Sequence, residues 1–280
     1  MRRLLFFLPL LACAYVSACK SPPPVDEHMR VETSQHFRLD YYGLDTAIVH
    51  RLMHHMETNR TQVMTDLLVD TMPTVHIIMH TDSSFNARWG SIIKRSGVTF
   101  QVQGLANGVN EIHVYGPWAM KYAGALNAVV LHEFAHCVTL QFAFQHGDSS
   151  HAVPPGTAPT AEHAQDRWLS EAIALYEAKQ STDVNWVRRI RNGEYPTIAE
   201  LSDPSNSLIY GVGYRLIEYV RIYWGAEGVS KLILAHGDVQ RALGISPTAF
   251  EDGWYDWIVK RYLLLNPKIF GSSRYSRRVH

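Results

Sequence analysis

Two imidazoles and a carboxylate, His132, Glu133 and His136, stand in the middle of "NAVVLHEFAHCVTLQFAF" (residues 127–144), a run otherwise dominated by Val, Leu, Ala and Phe. Polar groups buried without partners cost about 1–3 kcal/mol each, so something must satisfy this trio. Residues four apart on an α-helix are offset by only about 40° and about 6 Å of rise, which sets His132 and His136 side by side on one face. Held that way they can ligate one tetrahedral zinc ion, with Glu133 placed to act as a base on a water. A metal site that does chemistry keeps three protein ligands and one open position. Candidates for the third ligand are Glu171, one turn into the next helical segment "DRWLSEAIALY", and His146, His151, Glu162 and His163, in or beside the intervening loop.

The elements that must position these groups change character along the chain. "HFRLDYY" reads as a strand, and 44–68 as a long helix with apolar residues at Ala47, Ile48, Leu52, Met56, Val63, Leu67 and Leu68. "TVHIIMH" is a second strand and 83–94 a short helix. "GVTFQVQGLANGVNEIHVYG" gives two β-like runs around Asn107-Gly108, a hairpin signal, and stops at Gly116-Pro117. The strand 111–115, just before the metal-binding helix, is the expected sheet edge. On it Glu111, His113 and Tyr115 alternate outward, which makes His113 a surface residue, with a place facing the cleft the alternative. From Trp118 the pattern is helical almost throughout: one helix over 119–145, a Pro/Gly-rich loop over 147–166, and helices over 167–180, 207–224, 227–235 and 248–265. The fold class expected is α+β, a small mixed sheet with helices (30–117) followed by a helical lobe (118–265).

The ends carry different information. Arg2 and Arg3, an apolar run over 4–16 and then Val16-Ser17-Ala18-Cys19 have the layout of an export signal over 1–18, with a run too short to span a bilayer. The four residues ending at Cys19 resemble the bacterial lipoprotein box, which implies lipidation at Cys19, with Cys13 the alternative. "SPPPV" suits a stiff tether over 19–29, and Lys20, in place of an aspartate, favours the outer membrane. The basic tail 266–280 is expected to be disordered. Only Cys137 remains for the folded part, a small buried residue that leaves no intramolecular disulfide. Without Arg2 and Arg3 the charge balance is slightly acidic, which argues against nucleic acid as a partner. Trp254 and Trp257 are core anchors of the last helix.

"LHEFAH" followed by "WLSEA" resembles the gluzincin metallopeptidases, and the overall layout is similar to the peptidase-MA-like proteins. That resemblance implies a zincin-like fold, Zn2+ held by His132, His136 and Glu171, Glu133 as general base, and a peptide or protein substrate. This chain departs from the family by a longer spacer between His136 and Glu171 and by Ala172 where glycine is usual. Tyr210-x-x-Gly213 is similar to a motif of the aminopeptidase branch, which implies that Tyr210, or its neighbour Tyr214, stabilises an oxyanion. "GVNEI" lacks the Met-Glu-Asn order of that branch's amine-binding segment, so Glu111 reads as an ordinary strand residue. The rival classes are a lipid-anchored binding protein that retains the metal site without catalysis, and a zinc hydrolase acting on non-peptide amides.

Overall fold

The computed structural model describes residues 28–99, 101–146, 167–181, 186, 189–190 and 192–264. The expected export signal, Cys19, most of the tether, the loop over 147–166 and the basic tail lie outside them. The fold is mixed α+β and mostly helical, with one small five-stranded sheet.

Strands β1 (Arg30–Thr33), β2 (Phe37–Tyr41), β3 (Val75–His80), β4 (Gly104–Ala106) and β5 (Glu111–Tyr115) lie in the order β1-β2-β3-β5-β4. The central pairs β2–β3 and β3–β5 are parallel, whereas β1 and β4 are antiparallel edges. Strand alternation sorts the two faces: Phe37, Leu39, Val75, Ile77, Met79, Ile112 and Val114 point into the main core. The β4–β5 hairpin turns through Gly108, whose φ of 73° a β-carbon would disfavour. The expected edge is therefore displaced by one strand. β5 is interior, and β4 is the edge, because the hairpin inserts its second strand next to β3.

Helix α1 (Thr46–Asp66) begins at Asp45, whose carboxylate caps the Ala47 N–H at 2.7 Å. It packs on the core face of the sheet, while α2 (Asp82–Arg95) covers the other face with Phe85, Trp89 and Ile92. His113 lies under Trp89, ring centroids 4.7 Å apart, and is fully buried rather than on the surface. The helix expected over 119–145 is broken. α3 (Gly116–Lys121), with a proline in its first turn, ends at Tyr122, and a short 3-10 turn leads into α4 (Leu126–Gln145). Phe134 of α4 meets Phe37 of β2 edge-to-face at 5.4 Å, which fixes α4 against the sheet.

The second half adds α5 (Arg167–Glu177), α6 (Ile198–Ser202), α7 (Leu208–Leu234), α8 (Val239–Leu243) and α9 (Pro247–Ile258), the last running on into a π-helical turn. Gly225, at φ 66°, kinks α7 where the sequence separates two helices. Trp254 and Trp257 are buried on α9, and one continuous core runs from Phe37 to Ile258 across both halves of the chain. β1, α6 and α8 have no counterpart in the sequence reading, being only four or five residues long.

Candidate metal centre

α4 is buried nearly all round, which is why its sequence is so apolar. His132 and Glu133 are each only 8% exposed. α5 packs against α4 and brings Glu171 to the histidine face. One nitrogen each of His132 and His136 and one carboxylate oxygen of Glu171 all lie within 4.8 Å of one another. His132 Nε2 is 3.2 Å from Glu171 Oε2 and 3.2 Å from His136 Nε2. Three donor atoms from two packed helices thus converge on one point, a set that fits a divalent cation.

The three groups perturb one another's protonation. Burial opposes ionisation of Glu171, but the His132 hydrogen bond and the nearby His132, His136 and Arg167 charges hold its carboxyl at about 2. Burial likewise opposes charge on His132, yet the Glu171 hydrogen bond and the Glu171 and Glu133 charges hold its pKa above the usual imidazole value. His136, desolvated beside His132, is pushed down to about 4. Glu133 stays out of the donor set. Burial and the Glu171 charge lift its carboxyl to about 7, against the pull of His132 and of a hydrogen bond from the Ala106 backbone.

That last bond ties Glu133 to the sheet. Leu105 pairs with His113 in the β4–β5 ladder, so the backbone groups of Gly104 and Ala106 face the open edge. Gly104 leaves a notch for the carboxylate: a β-carbon there would lie 2.8 Å from Glu133 Cγ and 2.9 Å from Oε1.

Two orienting residues escaped the sequence reading. Ser170 Oγ lies 2.9 Å from His136 Nδ1, and Gln180 Oε1 lies 3.1 Å from His132 Nδ1. Neither belongs to a motif; the only signal for Ser170 is its place one residue before Glu171. Arg167, at the start of α5, donates to the Leu201, Asp203 and Asn206 carbonyls at 3.0–3.1 Å, and so clamps α5 to the segment that opens α7. Tyr210 of α7 arrives beside the site, its ring 6.5 Å from that of His132 and its hydroxyl bonded to Glu171. Burial and the Glu171 charge raise its pKa well above the ordinary phenol value. Tyr214 instead stacks on Tyr176 at 5.1 Å.

Among the described residues, His146, Glu111 and Cys137 do not join the cluster. His146 Nδ1 bonds the Phe142 carbonyl at 2.8 Å, and His151, Glu162 and His163 lie outside the described residues. Glu111 is held by Asn107 at 2.6 Å, His113 at 3.3 Å and Arg88 at 3.7 Å. Cys137 is buried, its thiol driven up mainly by desolvation. Comparison with protein families, with curated proteins and with solved structures finds no match to this chain. The functional reading therefore rests on the geometry of these side chains.

Proposed function

We propose that this protein is a zinc-dependent metallopeptidase of zincin-like fold, with His132, His136 and Glu171 as ligands, Glu133 as general base and a peptide or protein as substrate. The observation that carries the reading is a carboxylate that does not belong to the donor set. Three donors suffice to hold an ion, and a purely structural site has no use for a second carboxylate buried next to them and seated against a strand edge.

Zinc held there would supply a Lewis acid that polarises a carbonyl and makes water acidic enough to attack it. The rest of the chemistry belongs to the chain. Glu133 takes the proton of the attacking water and delivers it to the leaving amine. The Tyr210 hydroxyl donates a hydrogen bond to the oxygen on which negative charge develops. The edge of β4 offers the Gly104 backbone and the Ala106 carbonyl, the Ala106 N–H being taken by Glu133, to an extended peptide, aligning it beside Glu133. Residues 1–29 place the enzyme, on this reading, at the cell envelope on a lipid attached to Cys19, on the periplasmic face of the outer membrane. Cys19→Ala should then move it from the membrane to the soluble fraction.

Metal analysis of the purified protein together with chelator-sensitive cleavage of a mixed peptide library tests the proposal. Glu133→Gln should keep its zinc and lose about 10³-fold or more in turnover, whereas Glu171→Ala should lose zinc. Undiminished turnover by Glu133→Gln removes the base. Full zinc occupancy in Glu171→Ala moves the third ligand elsewhere. Partner binding without cleavage would leave a binding protein, and cleavage of amides other than peptides a different hydrolase.

A further inference from the structure

The structure assigns Gln180 a positioning role: it fixes the ring of His132 so that Nε2 is the nitrogen left to ligate. This inference rests on the metal reading above and adds a residue that no motif marks.

The chain delivers Gln180 by an unusual helix end. α5 does not stop on glycine. The Lys179 N–H bonds the Tyr176 carbonyl at 3.1 Å and the Gln180 N–H reaches back to the Leu175 carbonyl at 2.9 Å, a bond pattern that closes a helix through a left-handed residue. That residue is Lys179, at φ 55°, a conformation that side chains with a β-carbon disfavour. The turn sends residue 180 back across α4, and both ends of its amide are used there. Gln180 Nε2 donates to the Ala128 carbonyl at 3.3 Å, and Oε1 faces His132 Nδ1 at 3.1 Å.

The amide's orientation follows from chemistry. A carbonyl can be met only by the amide's N–H, so the Ala128 contact sets the NH₂ end and leaves the oxygen toward the imidazole. An oxygen there requires a hydrogen on His132 Nδ1. The lone pair for ligation is then on Nε2, the atom 3.2 Å from both Glu171 Oε2 and His136 Nε2. Ala128 lies one helical turn before His132, so a single side chain braces the ring and the helix that carries it. Gln180 is neutral, so it fixes His132 without adding negative charge to a centre already holding Glu133 and Glu171. Ligand and orienters share one segment: Glu171 and Ser170 from α5, and Gln180 from its closing turn.

The test is zinc affinity of the chelator-stripped full chain, measured by competition with a chromophoric chelator, with thermal unfolding run alongside. Gln180→Leu should bind zinc about 10- to 100-fold more weakly than the wild type. Gln180→Glu, whose carboxylate still accepts from Nδ1–H but cannot donate to the Ala128 carbonyl, should recover part of that affinity, a rescue that a general packing role would not give. Equal zinc affinity in Gln180→Leu and wild type overturns the inference, as does a loss that Gln180→Glu fails to recover. Should Gln180→Leu not fold, the cobalt(II)-loaded Gln180→Glu protein decides. A shift of its visible absorption bands from those of the wild type is expected, because the ring partner has changed charge, and an unchanged spectrum overturns the role. A wild-type protein that takes up no zinc refutes the metal reading and this inference together, whereas failure of the variants alone refutes only Gln180.

Discussion

Gly104→Ala separates the base from the metal more cleanly than any change to the ligands. The added methyl would stand 2.8 Å from Glu133 Cγ, 2.9 Å from Oε1 and 3.1 Å from Cδ, closer than β-carbons are found to neighbouring atoms. Restoring ordinary contact at about 3.4 Å or more requires a retreat of roughly 0.6 Å by the carboxylate or the strand. Two of the crowded atoms, Cγ and Cδ, lie on or before the carboxylate's rotation axis, so rotation of the carboxylate can free Oε1 but does not relieve them. A displacement of about 1 Å at a reacting group can cost about 100-fold. The expected loss is about 10- to 100-fold in kcat, or about 1.4–2.8 kcal/mol of barrier. Zinc affinity should stay at the wild-type value, because the three atoms nearest the added methyl all belong to Glu133 and none to His132, His136 or Glu171. The assay is chelator-sensitive cleavage of a peptide library, with zinc titration in parallel. Gly124→Ala is the control, since a β-carbon there meets nothing within 4 Å. Full turnover by a stable, zinc-loaded Gly104→Ala would refute the placement of Glu133 as base. A loss of activity that tracks a loss of zinc would refute the claim that the notch serves the carboxylate alone.

Two further outcomes concern stability. In Gly213→Ala the new methyl would lie 2.7 Å from Leu175 Cδ1 and 3.0 Å from the Ala172 backbone, prising α7 from the ligand helix. Overpacking of about 1–3 kcal/mol less about 1 kcal/mol of recovered helix propensity leaves up to about 2 kcal/mol and should lower Tm by up to about 8 °C, and a raised Tm in a thermal melt would refute the tight α5–α7 contact. Glu177, buried on α5 near Asp66, Arg221 and Lys179, has its carboxyl pushed up to about 8, chiefly by desolvation and then by the Asp66 charge. A folded-state pKa above the unfolded one means full stability below about pH 4.5 and a progressive loss as pH rises toward 8. Glu177→Gln should therefore gain on the wild type by up to a few kcal/mol, on the order of 1.4 per pKa unit, between pH 5 and 8. A pH-independent difference between the two denaturation profiles would contradict this.

Local pattern was legible where physics is local. The 3.6-residue period of α1, the alternation of β3 and the Asn107-Gly108 hairpin were readable because each is decided within a few residues. His132 and His136 share a face by helix geometry alone, and Glu171 stood out through "WLSEA". What escaped depends on neighbours far along the chain. A hairpin specifies which two strands pair but not which of them meets β3, so the sequence points to β5 as the edge, whereas the edge is β4. His113 alternates as an outward residue should; only α2, laid over that face with Trp89, buries it. Gln180 is a neutral amide 48 residues from the ring it meets, and a lone glutamine after a helix carries no signature of that contact.

Arg167 leaves a further mark on how this chain can drift. Its guanidinium is received by the main-chain oxygens of Leu201, Asp203 and Asn206, and every residue type carries such an oxygen. The side chains behind those oxygens nonetheless hold the turn that presents them: Leu201 is buried, the Asp203 carboxylate accepts from the Ser205 N–H at 2.8 Å, and Asn206 Oδ1 accepts from the Leu208 N–H at 3.1 Å. Lysine at 167 would bring a single ammonium to a place shaped for a planar fork. Variation among descendants of this sequence should therefore spare both the giving residue and those that shape the receiving turn.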